Sequence, residues 1–267
     1  MMDTSSYNAT IISKILISPD LMILQADTDE PRNEFEAGQF TVLGLYGFEK
    51  RSANSEPESI PVEPDKLIQR PYSIASSKTQ TSQLEFYIAQ VKSGQLTPRL
   101  FNLKPGDRIF VGTKITGIFR LDETPDGSDI VMIATGTGIA PYISFLRSHI
   151  MERPESKMVV IQGARHRWDL GYYSELTFLE KTFPNFFYVP TLNDPDERWD
   201  GYRLSIEELL RNEVLQNEYN ITPDPERTHF FVTGKPEMLE NVSDWLKGYG
   251  YERHHPNDPG SLYIEEF

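Results

Sequence analysis

A chain of 267 residues, 38% hydrophobic and 12% aromatic, has enough material for two compact domains with separate cores. Its 26 Lys plus Arg against 40 Asp plus Glu leave a formal charge of −14, which argues against general nucleic-acid binding, where a basic face is expected. The sequence contains no cysteine, so disulfides, thiolate catalysis, zinc-thiolate sites and cysteine-ligated iron–sulfur clusters are excluded within the chain.

In chain order, the first half reads as short strands. Thr10 to Ile17 alternates loosely, Leu21 to Ala26 follows, and Ala37-Gly38 turns into a strand over Gln39 to Leu45. Phe48 to Gln69 is polar, with three prolines and many charges, and reads as a surface loop or insertion. Strands are expected over Pro71 to Ala75 and Leu84 to Val91, bounded by Ser93-Gly94. Thr97-Pro98-Arg99-Leu100 reads as a short helix with Thr97 at the N-cap and proline at the first helical position. Lys104-Pro105-Gly106-Asp107 is a turn, and strands over Arg108 to Gly112 and Ile118 to Leu121 close the half. Short strands at this spacing predict an antiparallel β-barrel.

The rhythm changes at Asp122 to Ser128, so the domains are expected to span 1–122 and 123–267. Strand Asp129 to Ala134 leads through a glycine loop into a helix from about Pro141 to Ile150. Strand Met158 to Gln162 precedes a helix near Tyr173 to Lys181, and Phe186 to Thr191 is another strand. Ile206 to Leu215 reads as one helix, His229 to Val232 as a buried strand, and Gly234-Lys235-Pro236 opens a helix over Glu237 to Lys247. Strands alternating with helices predict a doubly wound parallel sheet, whose ligands lie at the carboxyl ends of its strands. The N-terminus lacks a secretory pattern and no apolar run approaches the ~18 residues of a membrane span, which predicts a soluble, cytoplasmic protein.

Arg70-Pro71-Tyr72-Ser73 gathers a diphosphate-binding guanidinium, a stacking ring and a hydroxyl able to bond a ring nitrogen or carbonyl. In an extended strand Arg70 and Tyr72 share a face and Ser73 takes the other, unless the chain bends at Pro71. An ordinary edge strand fits the same letters. Thr135-Gly136-Thr137-Gly138 stands between a strand and a helix, as a diphosphate loop or as a plain tight connection. It is not G-x-G-x-x-G, because Pro141 holds the last place. Gly94-Gln95-Leu96-Thr97 either offers backbone amides to a phosphate or is simple N-capping. Arg165 can meet a nucleotide phosphate or stand as a solvated surface charge, and Arg198 and Arg203 can complete a phosphate site or pair with nearby acids; Arg167 and His166 read as surface residues. Tyr87 is core or flanks a ring, and the terminal Phe267 covers a ring, packs or frays. His254, His255 and Asp258 lack metal-ligand spacing, so no metal is expected.

Together these segments resemble the bacterial ferredoxin (flavodoxin)–NADP+ reductase family over nearly the whole chain. Ala37 to Thr41 is similar to the family's early strand, and Arg70 to Ser73 to its R-x-Y-S flavin motif. Leu84 to Tyr87 and Gly94 to Leu100 resemble the following strand and the FAD-diphosphate loop, and Leu103 to Asp107 its L-K-P-G-D turn. Ala134 to Tyr142 resembles its A-T-G-T-x-I-x-P-Y loop. Gly163 to Arg165 and Asp169 to Tyr172 resemble the surroundings of its 2′-phosphate site, and Gly234 to Met238 its G-x-P-x-M helix start.

The resemblance implies an FAD-binding barrel and an NADP-binding α/β domain. It implies that Arg70 and Pro71 hold the FAD diphosphate side, that Tyr72 stacks on the isoalloxazine and that Ser73 bonds near N5. Tyr87, Gln95, Leu96 and Thr97 would hold the rest of FAD, with Phe267 shielding the ring. Thr137 would lie between flavin and nicotinamide. Ala164, Arg165 and Arg203 would surround the 2′-phosphate, and Thr233, Lys235, Pro236 and Glu237 would line the nucleotide site. Tyr72, Ser73, Thr233 and Phe267 would be the catalytic group. NADPH would pass a hydride to flavin N5, with Glu265 or Glu266 relaying a proton, and electrons would leave singly to ferredoxin or flavodoxin. Such partners are usually acidic, so a local basic patch on the first domain of a monomer is expected.

Three departures carry weight. Thr233 stands where many members have cysteine, which removes thiol assistance. Asn193 falls roughly where relatives have an arginine for the 2′-phosphate, which leaves NAD open beside NADP. Phe48 to Gln69 is longer than in compact relatives. The alternatives are an oxygenase reductase component or flavin reductase, and a non-catalytic flavin-binding module.

Overall fold

The computed structural model describes residues 5–266, and the chain divides into two compact units after Gly117. In the first unit β1 (Ala9–Ser18), β2 (Leu21–Thr28), β3 (Phe40–Tyr46), β4 (Leu67–Ser73), β5 (Gln83–Ala89) and β6 (Arg108–Val111) form one sheet, ordered β4-β3-β6-β1-β2-β5. The two ends of that order meet. Ile74 bridges Phe86, and Ala75 N donates to Glu85 O at 2.8 Å, so the antiparallel sheet closes into a barrel. Period-two patterning puts the core inside it: Met22, Leu24, Ala26 and Thr28 of β2 are all buried.

β4 begins within the stretch expected to be loop. Leu67 pairs with Tyr46, and the register runs unbroken to Ser73 opposite Phe40. Pro71 is tolerated because β4 carries only the Ile74 end-bridge on its other side, where a missing N–H breaks no ladder. Ile118 to Leu121, expected as a barrel strand, is irregular and belongs to the second unit. There Phe119 packs edge-on against Phe231, with ring centroids 5.2 Å apart.

The second unit is a wholly parallel sheet of β7 (Asp129–Thr135), β8 (Met158–Ala164), β9 (Phe186–Leu192), β10 (Thr228–Gly234) and β11 (Leu262–Glu266), ordered β11-β10-β7-β8-β9. Every residue of β10 is buried, as expected for a strand covered on both faces. After the one-turn α1 (Thr97–Leu100) of the barrel, this unit supplies α2 (Ala140–His149), α3 (Tyr173–Thr182), α4 (Ile206–Arg211), α5 (Val214–Tyr219) and α6 (Pro236–Lys247). In α6 the buried residues Met238, Leu239, Val242, Ser243 and Leu246 recur at three and four, one apolar stripe.

The helix expected over Ile206 to Leu215 is two helices. A Ser205–Glu208 capping box starts α4, and Glu213, with φ 56°, turns the chain before α5. The turn keeps Leu209, Leu210, Val214 and Leu215 all buried. β11 was not foreseen as a strand. It docks parallel to β10, and Tyr263 stacks on Phe231 at 4.2 Å between centroids. β8 and β9 lie on one side of β7, and β10 and β11 on the other, so β7 and β10 flank the switch point of the sheet.

Candidate cofactor-binding sites

The barrel's candidate site is built from β4 and the loop before α1. Arg70 lies opposite Leu43 and Tyr72 opposite Thr41, so these two side chains share a face of an unbent strand, and Ser73 takes the other. Arg70 is exposed; its guanidinium donates to Gln69 O at 2.6 Å and reaches Gln95 Oε1 at 3.4 Å, joining the strand to the loop. Tyr72 is half-buried against the barrel core. Burial pushes its phenol up, against the opposing charge of Arg70, so the ring stays neutral. Ser73 is half-buried and Tyr87 is buried within β5.

Thr97 is not the N-cap. Leu96 is, and the Thr97 hydroxyl instead accepts from Val91 N at 2.9 Å and donates to Val91 O at 3.2 Å, closing the loop as a ring. Among the described residues no acceptor takes the amides of Gln95, Leu96 or Thr97. Three consecutive free donors beside an exposed guanidinium form a donor set that fits a diphosphate. A single-turn helix adds little dipole, so the loop's own amides provide this fit.

Sequence reasoning missed the charges behind this loop. Arg99 is only 5% exposed and pairs with Glu58, which also takes Arg51 Nη1 at 2.8 Å. The partners are 41 and 7 residues apart in sequence, and Arg99 sits in a pattern legible only as a helix start. No local signal marks them.

In the second unit, β7 ends at Thr135 and a 3-10 turn over Gly136–Ile139 leads into α2. Gly136 has φ 56°, is exposed, and has nothing within 4 Å of where a Cβ would stand. The facing loop after β10 comes very close: a Cβ on Gly234, φ 152°, would stand 2.5 Å from Thr135 Oγ1. Thr233 is fully buried, and its hydroxyl donates to Gly138 O at 2.8 Å. Below it the Tyr142 hydroxyl lies 2.9 Å from Ile133 O and 2.7 Å from Phe231 O, and burial raises this phenol well above its ordinary value. The glycine loop is therefore held from β10 through Gly138, while half-buried Thr137 stands within its turn. An open, glycine-lined turn at a switch point fits a nucleotide diphosphate.

Lys235 occupies the N-cap of α6, followed by Pro236 and by Glu237 in the first turn, all exposed. Glu265 lies in register with Thr233 and Glu266 with Gly234, at the same end of the sheet. Ala164 ends β8, and Asn193 N donates to its carbonyl at 3.0 Å. Exposed Arg165 lies 3.8 Å from Asp194. Arg203 turns onto its own loop, donating to Trp199 O at 2.7 Å and Asp196 O at 3.2 Å. Thus Ala164, Arg165 and Asn193 are brought together by the ends of β8 and β9, whereas Arg203's donors are partly committed. Arg167 is not a bare surface charge: it lies 5.9 Å over the Tyr173 ring. His166 stacks on Trp168 at 4.5 Å. Phe267 lies outside the described residues. Among the described residues no group of three or more His, Cys, Asp or Glu side chains could hold a metal ion, and no helix is long and apolar enough to cross a membrane.

A closed antiparallel barrel with a free-amide loop, followed in the chain by a parallel sheet with an open glycine turn, marks a flavin- and pyridine-nucleotide-dependent oxidoreductase. The family model of the oxidoreductase FAD-binding domain matches residues 59–116, and that of the oxidoreductase NAD-binding domain matches 132–244. The chain is 31% identical over 238 residues to the flavodoxin/ferredoxin–NADP reductase of Buchnera aphidicola subsp. Baizongia pistaciae, covering 89% of each. It is 31% identical to the ferredoxin–NADP reductase of Azotobacter vinelandii, over 89% of this chain and 88% of that one. The crystal structure of a ferredoxin NADP+ reductase from Neisseria gonorrhoeae with bound FAD and NADP superposes with a TM-score of 0.82 at 26% identity, covering 97% of each chain. The chain belongs to the flavodoxin/ferredoxin–NADP reductase family, with an FAD-binding domain followed by a pyridine-nucleotide-binding domain.

Proposed function

We propose that this protein moves electrons between NADP(H) and a ferredoxin or flavodoxin, acting as a cytoplasmic monomer. The observation that carries this reading is similarity running through both units to reductases named for those partners. Bound FAD supplies the exchange between two-electron and one-electron chemistry. Arg70 and the amides of Gln95, Leu96 and Thr97 bind its diphosphate, Pro71 holds β4 extended, and Tyr72 offers a neutral ring for stacking. Ser73 donates at the ring edge, and Tyr87 lines the cofactor from β5. Thr137 and the N-terminal segment Lys235, Pro236 and Glu237 contact the pyridine nucleotide, while Ala164, Arg165 and Arg203 surround its 2′-phosphate. Thr233 acts through Gly138, as a positioning residue. Glu265 and Glu266 stand at the carboxyl end of β11, in register with Thr233 and Gly234.

An absorption spectrum followed by anaerobic titration tests this. The protein is expected to be yellow and to bleach with one equivalent of NADPH, with NADH at least about tenfold less effective, the worth of a charge-assisted phosphate contact. Arg165→Ala is expected to erase most of that preference. Equal response to NADH would overturn the 2′-phosphate assignment; a colourless protein would overturn the whole reading.

The partner surface is tested by salt. Although the chain carries a net charge of −14, Lys50, Lys66, Lys104 and Lys114 are exposed and make no ion pair among the described residues. These are the charges available to an acidic electron carrier. Raising ionic strength from about 0.01 M to 0.15 M shortens the screening length from about 30 Å to 8 Å. The ferredoxin-dependent rate should fall severalfold while the rate with an uncharged dye holds. A salt-independent rate would remove the basic patch from the proposal.

A further inference from the structure

We infer that Glu58, with Arg51 and Arg99, forms a charged clamp that aims the FAD-diphosphate amides, and that the Phe48-to-Gln69 insertion exists to deliver it. This rests on the reading that the Gly94–Thr97 loop holds the diphosphate. In a planar trans peptide, the C=O of one residue and the N–H of the next point in opposite directions. Whatever fixes the carbonyls of Gly94 and Gln95 therefore fixes the amides of Gln95 and Leu96.

Two arginines hold those carbonyls. Arg51 Nη1 donates to Gly94 O at 2.7 Å, and Arg99 Nη1 donates to Gln95 O at 2.6 Å. Arg51 Nη2 also takes Lys92 O at 3.0 Å, and Arg99 Nη2 takes Gly47 O at 2.7 Å. Both guanidinium groups converge on one oxygen of Glu58, whose other oxygen accepts from Val62 N at 3.3 Å. Burial alone would raise the Glu58 carboxyl, but its hydrogen bond to Arg99 and the charges of Arg99 and Arg51 hold it below its ordinary value. It is ionised at neutral pH and draws both arginines to the same side of the loop.

The rest of the insertion is laced to the same loop. Ser52 N donates to Pro98 O at 2.9 Å, Glu56 N to Lys92 O at 3.0 Å, and Gln95 Nε2 to Ile60 O at 3.2 Å. Its base is closed at Gly47, whose N–H donates to Lys66 O at 2.9 Å. A Cβ there would stand 2.1 Å from Glu63 O, so only glycine admits this approach. The carbonyls thus face the strap, and the free amides face away from it.

The test is Glu58→Gln, with Arg51→Gln as a second variant at the more exposed end of the clamp. In the wild type, FAD should protect the amides of residues 95–97 from hydrogen exchange, and riboflavin, which has no diphosphate, should not. In either variant FAD should dissociate about tenfold faster, because the diphosphate amides lose their fixed orientation, a change of about 1.4 kcal/mol. Riboflavin affinity should stay within about twofold, because the ring site is untouched. Wild-type amides left unprotected by FAD would sink the diphosphate reading, and the clamp with it. Protected amides with an unchanged FAD off-rate in both variants would sink the clamp alone. Equal weakening of FAD and riboflavin would also overturn it, since that is what general loosening of the barrel produces.

Discussion

Gly234→Ala is expected to weaken NADP+ binding by about tenfold or more, a loss of about 1.4 kcal/mol or greater, while FAD stays bound. The reason is crowding at the switch point. Gly234 has φ 152°, a conformation that side-chain-bearing residues rarely adopt. Holding one there costs about 1–3 kcal/mol. The added carbon would also stand 2.5 Å from Thr135 Oγ1 and 2.6 Å from Met238 Cε. Met238 ends in a flexible thioether and can swing aside. Thr135 is a short branched residue at the end of β7, and its displacement moves the Gly136 turn directly. Isothermal titration with NADP+, together with flavin content, checks the result. Wild-type affinity in this variant would show that the β10 end does not govern the glycine loop.

Arg99→Met is expected to destabilise the barrel unit by about 3 kcal/mol, the usual cost of removing one partner of a buried ion pair. Met keeps the volume but leaves Glu58 with Arg51 alone and strips donors from Gln95 O and Gly47 O. The Glu58 side chain is 11% exposed, so water recovers little of the loss. The sign with pH follows from its lowered carboxyl. The contribution is present above the ordinary carboxylate range and is lost as pH falls through the folded value. The deficit of Arg99→Met should therefore shrink in acid. Urea unfolding at pH 7 and pH 4, followed by flavin release, measures both. Arg99→Met/Glu58→Gln should recover part of the loss, because no unpaired carboxylate remains. A deficit below about 1 kcal/mol, within the range of an exposed ion pair, would mean the pair is not effectively buried.

Much of the architecture was legible because local chemistry and final structure agree. Alternating residues such as Met22, Leu24 and Ala26 can bury themselves only on one face of a strand. Continuous apolar runs such as Ile130 to Ala134 need cover on both faces. The Arg70–Ser73 and Thr135–Gly138 segments carry enough unusual chemistry in a few residues to be noticed singly. Where the reading failed, the deciding contact lay far along the chain. Leu67 joins β4 because β3 offers a partner, not because its neighbours favour a strand. Four local letters make Thr97 a cap, but Val91 claims its hydroxyl. The Ile206-to-Leu215 helix breaks at Glu213, whose φ of 56° turns the chain, and Leu210 and Val214 are both buried on either side of that turn.

The amino-acid order alone determined the two classes of domain and the absence of thiol chemistry, and it singled out the segments proposed to meet a flavin or a nucleotide. All of these follow from residue type and short-range periodicity, which the chain carries wherever it goes. Only the tertiary structure decided that β11 would dock beside β10, that Thr233 would give its hydroxyl to Gly138, and that Glu58 would pair with both Arg51 and Arg99. Each of these depends on a hydrogen bond or ion pair whose two halves become neighbours only once the chain has closed.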